Sequence, residues 1–229
     1  MNKVKVFIAM IAVALGGLII WSCTQDEMEN GQTTYRYSED EITTLHAMAE
    51  KYGVPEVVFP TESSNKLLAL KDMEDIFKTF GAIKYSLSMP LEHQDSTVTS
   101  ITYKTKKPLV PSLRKKRASG GESSSYSFTE LVSSYPATLT FKVSWNPNRD
   151  QNGNITSYSL FVSGSLELPM ALVSRGYFYQ NGTTSYSKNY DETLNLTYKC
   201  DLCHYDGYGQ TIKEPISFTH KINAPAKPN

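Results

Sequence analysis

This sequence of 229 residues has few histidines, few cysteines and no formal net charge. It has four histidines and three cysteines, and its 23 basic side chains equal its 23 acidic ones. A near-neutral chain exerts no general electrostatic attraction on nucleic acid, so we expect no nucleic-acid partner. No Gly-x-Ser-x-Gly, phosphate-loop or His-Glu-x-x-His pattern occurs. The sequence therefore predicts a non-catalytic protein that needs no cofactor.

One long apolar run is present at the N-terminus, from Val6 to Trp21, directly after Lys3 and Lys5. This order is the layout of a secretory signal. The run is shorter than the roughly 20 apolar residues that a membrane-spanning helix needs. A retained anchor helix is the alternative, because flanking residues can rescue a short span. We predict a removable signal at residues 1–22.

The residues around Cys23 resemble a bacterial lipobox, since Ile20, Trp21 and the small Ser22 precede the cysteine. Residues 24–29 (TQDEME) follow and resemble the acidic export tag of Bacteroidota surface lipoproteins. The resemblance implies that Cys23 is lipidated and that the protein is anchored in the outer membrane, exposed at the cell surface. Several acyl chains on one residue would hold it there stably.

Composition divides the rest of the chain into segments. Residues 23–37 are polar and read as a flexible tether. Residues 38–103 form a region of two helices and a hairpin, and residues 104–125 are a basic, Ser/Gly-rich linker with the run Arg114–Arg117. A β-sandwich domain is predicted over 126–223, followed by a disordered tail at 224–229.

Two helices are predicted from apolar residues at helical spacing. Ser38 and Glu41 form a capping box for the first helix, which Gly53 ends. The second helix is predicted over Lys66–Phe80, with Gly81 as its C-cap.

After Gly81 the period changes to two, which predicts a strand through Ile83, Tyr85, Leu87 and Met89. It would pair with Val98–Tyr103 across a loop at 90–96. The loop holds Asp95-Ser96-Thr97, which resembles the O-glycosylation signal of exported Bacteroidota proteins and implies modification of Ser96. A plain polar loop is the alternative.

The C-terminal half alternates apolar and polar residues in five runs, as half-buried strands do. These runs include Leu139–Trp145, Tyr158–Val162, Val173–Tyr179, Leu194–Cys200 and Ile216–Ile222. The predicted fold class is mainly β with a small α/β N-terminal region, and the C-terminal part is an antiparallel β-sandwich that resembles immunoglobulin or fibronectin modules.

Cysteine and histidine cluster in one place, at Cys200, Cys203 and His204. The pattern Cys-x-x-Cys-His occurs in haem attachment, but here it ends a strand. Zinc held by these residues and His220 would need ligands that converge from separate strand ends. A disulfide would need a turn, because residues three apart in a strand lie about 10 Å apart. Unbridged packing cysteines are the remaining alternative, and we predict no metal site.

The stretch Asp150–Asn154 begins like a calcium loop but lacks the acidic residue that ends one, so a hairpin turn is the preferred interpretation. Exposed tyrosines are the remaining candidate binding groups, because sugar faces and partner proteins stack on such rings. Core packing of Tyr177 and Tyr179 is the alternative. The candidates are Tyr177, Tyr179, Tyr186, Tyr190 and Tyr208.

The leading hypothesis is a non-catalytic cell-envelope lipoprotein that binds a glycan or protein ligand at the outer-membrane surface. One alternative is an assembly subunit resembling fimbrillin-type lipoproteins, which proteolysis in the basic linker would activate. Another is a glycan-acting or zinc-dependent hydrolase.

Overall fold

The computed structural model describes residues 33–108 and 136–228. The predicted signal, Cys23, residues 24–32 of the tether and most of the basic linker lie outside the described residues. The chain divides into two compact units, and within the described residues the smaller holds 33–37 and 61–67 and the larger holds 38–60 and 68–228.

The smaller unit is a pair of short antiparallel strands, β1 (Tyr35–Arg36) and β2 (Glu62–Ser63). Tyr37 donates a backbone hydrogen bond to the Thr61 carbonyl at 3.1 Å. An exposed ion pair joins Arg36 to Glu62, with 3.0 Å between Nε and Oε2. Exposed pairs of this kind add little stability.

The larger unit begins with helix α1 (Glu39–Lys51), as the capping box predicts. Glu41 donates its backbone N–H to Ser38 Oγ, while its carboxylate accepts from the Ser38 N–H at 2.9 Å. Leu45 and Ala49 are the buried positions of its apolar stripe. Gly53 follows with φ of 73°, a conformation that glycine adopts without strain.

Helix α2 (Leu70–Leu87) is longer than predicted and replaces a predicted strand. The prediction of a strand through Ile83, Leu87 and Met89 is wrong, because the helix runs on through the first two of these residues. Gly81 is buried inside the helix instead of capping it. Residues Phe80, Ile83 and Leu87 share a buried face at helical spacing, and their burial outweighs the local alternation.

The strands of the larger unit form two antiparallel sheets in chain order, and the prediction of a mainly β fold with an antiparallel C-terminal sandwich is confirmed. The first sheet contains β3 (Leu91–Ser96), β4 (Ser100–Thr105), β5 (Thr138–Arg149) and β6 (Ile155–Glu167). The second contains β7 (Tyr177–Lys188), β8 (Thr193–Tyr205) and β9 (Thr211–Asn223).

Two stretches differ in detail from the predicted strands. Residues 91–96, predicted as a loop, form β3, whose exposed polar side chains hide any alternation. Val173 ends a short helix, α3 (Met170–Val173), so the predicted strand through Val173 and Arg175 begins only at Tyr177. The hairpin of β3 and β4 joins the same sheet as β5, since Tyr103 pairs with Phe141.

The core lies between α2 and the inner faces of the two sheets. Ser86 Oγ donates to the Ala137 carbonyl at 3.2 Å, beside the start of β5. Phe80 meets the ring of Tyr177 on β7 edge-on, with 5.9 Å between centroids. Both aromatic side chains are buried, so α2 is an integral part of the core of this unit.

Two glycines make room for Tyr198 of β8 where the sheets approach each other. A Cβ at Gly164 of β6 would lie 3.0 Å from Cδ2 of Tyr198 and 2.8 Å from Thr184 Oγ1. A Cβ at Gly182 of β7 would lie 2.6 Å from the Tyr198 hydroxyl oxygen. The contacts of 2.6 and 2.8 Å are shorter than real Cβ contacts and the contact of 3.0 Å is tight, so a side chain at either glycine would require Tyr198 or Thr184 to shift.

Candidate functional site

Cys200 and Cys203 lie on one regular strand, β8, and both are free thiols. Cys200 shares the core face with Leu196 and Tyr198, whereas Cys203, an odd number of residues away, points to the other face. Their side chains therefore diverge, and the turn that a disulfide between them would need is absent from this strand.

Both thiols are also expected to be unreactive. Burial raises the pKa of Cys200 to about 12 and that of Cys203 to about 11, and the nearby Asp201 carboxylate acts in the same direction. Metal binding and nucleophilic attack both require the thiolate. These cysteines thus pack as small apolar residues at neutral pH.

The two histidines of the cluster are separated from the thiols. His220 lies opposite Leu196 in the β8–β9 ladder, four positions along β8 from Cys200. His204 instead contacts the carbonyl of Arg175 through Nε2 at 3.1 Å. Within residues 33–108 and 136–228, no group of His, Cys, Asp and Glu side chains could hold a metal ion. The structure does not bring the four weak zinc candidates together.

His220 ties the C-terminal end of α2 to β9. Its Nε2 lies 3.1 Å from the Leu87 carbonyl oxygen, so this nitrogen carries the proton and donates. The ring is buried and lies edge-on to Phe141, with 6.1 Å between centroids. Burial lowers the pKa of His220, and the bond to Leu87 opposes this only in part.

We expect the protein to lose stability below pH 6.5 through His220. The unfolded chain binds this proton more readily than the folded one, so the free energy of unfolding falls as the pH drops below the ordinary pKa of 6.5. His220→Gln should flatten this dependence in thermal melts between pH 7.5 and pH 5. His93→Gln, at an exposed site, is the matched control. Equal profiles for wild type and His220→Gln would contradict this prediction.

The candidate tyrosines do not form one surface. Tyr177 is buried against α2, and Tyr186 donates its hydroxyl to the Leu160 carbonyl of β6 at 3.2 Å. Tyr179 is partly exposed on β7. Tyr190 and Tyr208 occupy the turns at opposite ends of β8, a strand of 13 residues that spans about 40 Å. A single stacking platform is therefore excluded for these five rings.

Ser96 is the exposed last residue of β3, beside the turn to β4. Its neighbour Thr97 exchanges hydrogen bonds with Ser100, including 3.0 Å from the Ser100 N–H to Thr97 Oγ1. This local structure leaves the Ser96 side chain in solvent. Its modification stays a prediction.

The hairpin of β5 and β6 extends past the core as an exposed projection, residues 146–159, which we call the hairpin arm. Every residue of the arm is exposed except Tyr158, which is partly covered. The last buried residue of β5 is Trp145. Both faces of the arm are therefore free to contact a ligand.

Hydrogen bonds between polar side chains hold the arm in shape. Asn148 Nδ2 donates to Ser157 Oγ at 2.8 Å and to Ser159 Oγ at 2.9 Å, across the two strands. At the tip, Asp150 Oδ1 accepts from the N–H groups of Asn152 and Asn154 at 2.9 and 2.8 Å. These backbone hydrogen bonds lower the pKa of Asp150 together with the Asn154 side chain. The hairpin turn at 150–154, preferred over a calcium loop, is confirmed.

A buried ion pair lies at the other side of the core. Glu214 of β9 is fully buried, and its Oε1 accepts from Lys84 Nζ of α2, whereas its Oε2 has no hydrogen-bond partner in the described structure. Burial raises the pKa of Glu214, against the opposing effect of the Lys84 ammonium. Lys84 also lines an open cleft of about 460 Å³ together with Pro55, Ile216 and Phe218.

Sequence reasoning missed the hairpin arm as a site, because asparagine, serine and glycine also mark ordinary turns. The available signal was the end of alternation after Trp145: residues 146–149 are polar or proline at successive positions. A strand that is polar on both faces has nothing to pack against. The polar residues after Trp145 could therefore have predicted that this part of the hairpin is exposed.

Comparisons with protein-family models, with curated proteins and with solved structures found no match to this chain. Across the residues that the structure describes, no helix combines the length and the apolar composition needed to cross a membrane.

Proposed function

We propose that this chain is a non-catalytic lipoprotein of the outer-membrane surface that binds a glycan through the hairpin arm. The observation that carries the proposal is the arm itself, a projection exposed on both faces and fixed by its own hydrogen bonds. A ligand that binds a preorganised element loses less conformational entropy on association than one that must order a loop.

The chemistry of the arm favours a ligand rich in hydroxyl groups. Its side chains supply amide donors and acceptors, from Asn146, Asn152 and Asn154, beside the hydroxyls of Ser157 and Ser159. Tyr158 adds an aromatic ring, which Lys227 approaches to 5.6 Å from Nζ to the ring centroid. Amides next to an aromatic ring provide both hydrogen bonding and a stacking surface. A lipid anchor at Cys23 would hold this arm at the cell surface.

The proposal is tested by shortening the arm. Replacing residues 147–158 with Asn-Gly leaves the hydrogen-bonded pair Asn146–Ser159 at the end of β5 and β6 and closes it with a two-residue turn of suitable twist. The wild type and the shortened variant, both as full chains, are compared on a glycan array. The shortened variant should bind any glycan that the wild type binds at least about tenfold more weakly, a loss of about 1.4 kcal/mol.

Tyr190→Ala is the matched control, because Tyr190 is exposed at the tip of a different hairpin. It should bind like the wild type, and both variants should keep the wild-type melting temperature. Loss of binding in Tyr190→Ala, with no effect of arm shortening, would move the site to the β7–β8 turn. A wild-type chain that binds no glycan, but binds a surface protein through the arm, would replace the proposed ligand class.

A further inference from the structure

Alternate residues of β9 turn their backbone N–H and C=O groups away from β8. Lys213 is one of them, because its N–H and C=O both pair with Val58, at 2.9 and 2.7 Å. Hydrogen-bonded and non-hydrogen-bonded pairs alternate in an antiparallel ladder. The same outward direction therefore applies to Pro215, Ser217, Thr219, Lys221 and Asn223. Pro215 fits this pattern, since proline has no N–H and is tolerated only where none is needed.

Beyond Val58, the described residues place no strand beside β9, so the stretch 215–223 is a free sheet edge. The open cleft of about 460 Å³ reaches the first part of this edge, where Pro215, Ile216, Ser217 and Phe218 line it, and extends over β8 to Lys199 and Asp201. Unpaired N–H and C=O groups beside open space are a ready template for another strand.

The two outer edges differ in their protection against such pairing. On β3, the edge of the other sheet, the register shifts between His93 and Asp95, and exposed Glu92 and Asp95 add charge. A bulge and charged side chains are known means of blocking an edge. On β9, Pro215 and Lys221 lie toward the two ends of the stretch, whereas Ser217 and Thr219 at its centre are uncharged, and the pairing with β8 continues without a register shift.

We infer that two copies of this chain pair through the free edge of β9, antiparallel about a two-fold axis at Thr219. Thr219 is the centre of the 215–223 edge, so this register uses its whole length. The two three-stranded sheets would then form one six-stranded sheet, joined by a self-complementary interface.

The residues that meet in this register are compatible with one another. Ser217 of one copy lies opposite Lys221 of the other, and Thr219 lies opposite itself. On the inner face, Phe218 lies opposite His220 and Ile216 opposite Ile222. No two like charges meet, which matters because like charges directly opposite destabilise a sheet. Lys221 is moreover paired with Asp191 of its own chain, with 2.6 Å between Nζ and Oδ2.

Disulfide trapping with the full chain in detergent tests the register. Hydrogen-bonded antiparallel partners have Cα atoms about 5.5 Å apart, within the range of about 4.4–6.8 Å that a disulfide spans. Under mild oxidation Thr219→Cys should therefore form a covalent dimer. Ser217→Cys is the matched control, because its two copies would lie four residues apart, about 13 Å along the strand. It should stay monomeric on a denaturing gel.

Charge exchange at the axis tests the pairing independently. Thr219→Asp and Thr219→Lys, each with its own affinity tag, place like charges face to face, so each alone should sediment as a monomer. Mixed together, the two variants should co-purify, because the charges then attract. Circular dichroism checks that both charged variants fold. If they do not fold, the comparison of Thr219→Cys with Ser217→Cys tests the pairing.

A wild-type chain that sediments as a monomer would overturn the inference. So would equal trapping of both cysteine variants, or of neither. Loss of a foreign protein partner in the charged variants, with no self-association of the wild type, would assign the edge to that partner instead.

Discussion

Replacing Lys84 with methionine should lower the free energy of unfolding at neutral pH by about 3–5 kcal/mol, the usual effect of removing one partner from a buried ion pair. Glu214 is fully buried, and in the wild type the described residues provide no hydrogen bond to one of its carboxylate oxygens. Without Lys84, the buried carboxylate must either stay charged without a partner or take up a proton, and both cost free energy at neutral pH. Urea unfolding followed by the fluorescence of Trp145 measures the change.

The pH dependence of this variant identifies the cause. In Lys84→Met nothing opposes the rise in the pKa of Glu214 that burial produces, so the folded state holds a proton that the unfolded state releases above its ordinary pKa of 4.5. The variant should therefore lose stability as the pH rises, and its deficit should be smaller at pH 5 than at pH 8.

Two further variants serve as controls. Lys84→Met with Glu214→Leu should recover most of the lost stability, because an apolar pair can replace a buried ion pair. Lys51→Met removes an exposed lysine that contacts Glu74, and we expect only a small change. An equal loss in both single lysine variants would contradict the role assigned to burial.

Replacing Phe80 with alanine should also cost about 3–5 kcal/mol of unfolding free energy, because it leaves a cavity in the core. Phe80 is completely buried on α2 and meets Tyr177 edge-on. Chemical denaturation monitored by circular dichroism is the measurement. Lys71→Ala, on the exposed face of the same helix, should change stability little. A loss below about 1 kcal/mol for Phe80→Ala would place α2 outside the cooperative core.

Sequence periodicity predicted the secondary structure correctly where one face of an element is buried and the other faces solvent. The strand through Leu139, Phe141 and Val143 alternates cleanly and forms β5 with these residues inside. The N-terminal boundary of α1 was also predictable, since Ser38 and Glu41 satisfy backbone groups locally. In both cases the information lies within a few residues of the chain.

Local pattern failed where tertiary packing decides. Residues 81–89 alternate like a strand, yet Phe80, Ile83 and Leu87 are buried at helical spacing beneath two sheets. The sequence pattern did not predict strand β3, for the opposite reason. It is an edge strand with polar, exposed side chains, so pairing of its backbone with β4 defines it instead of burial.

In the candidate site, too, some features follow from local sequence and others depend on tertiary packing. The sequence placed Cys200, Cys203 and His204 close together along the chain, but the regular geometry of β8 directs the two thiols to opposite faces. Spacing in sequence could not show this without the strand assignment. The hairpin arm depends on where the core ends, which only the packed structure shows.

The ring of Tyr198 couples three positions that lie on three different strands. A methyl group at Gly182 would collide with the hydroxyl of this ring, and one at Gly164 would press on the ring and on Thr184 Oγ1, so a larger residue at either position requires a neighbour to move. A smaller residue at position 198 would release the constraint at Gly182, but at Gly164 the contact with Thr184 would remain. Among related sequences, positions 182 and 198 of an alignment should therefore change together, and a larger residue at position 164 should accompany changes at both 184 and 198.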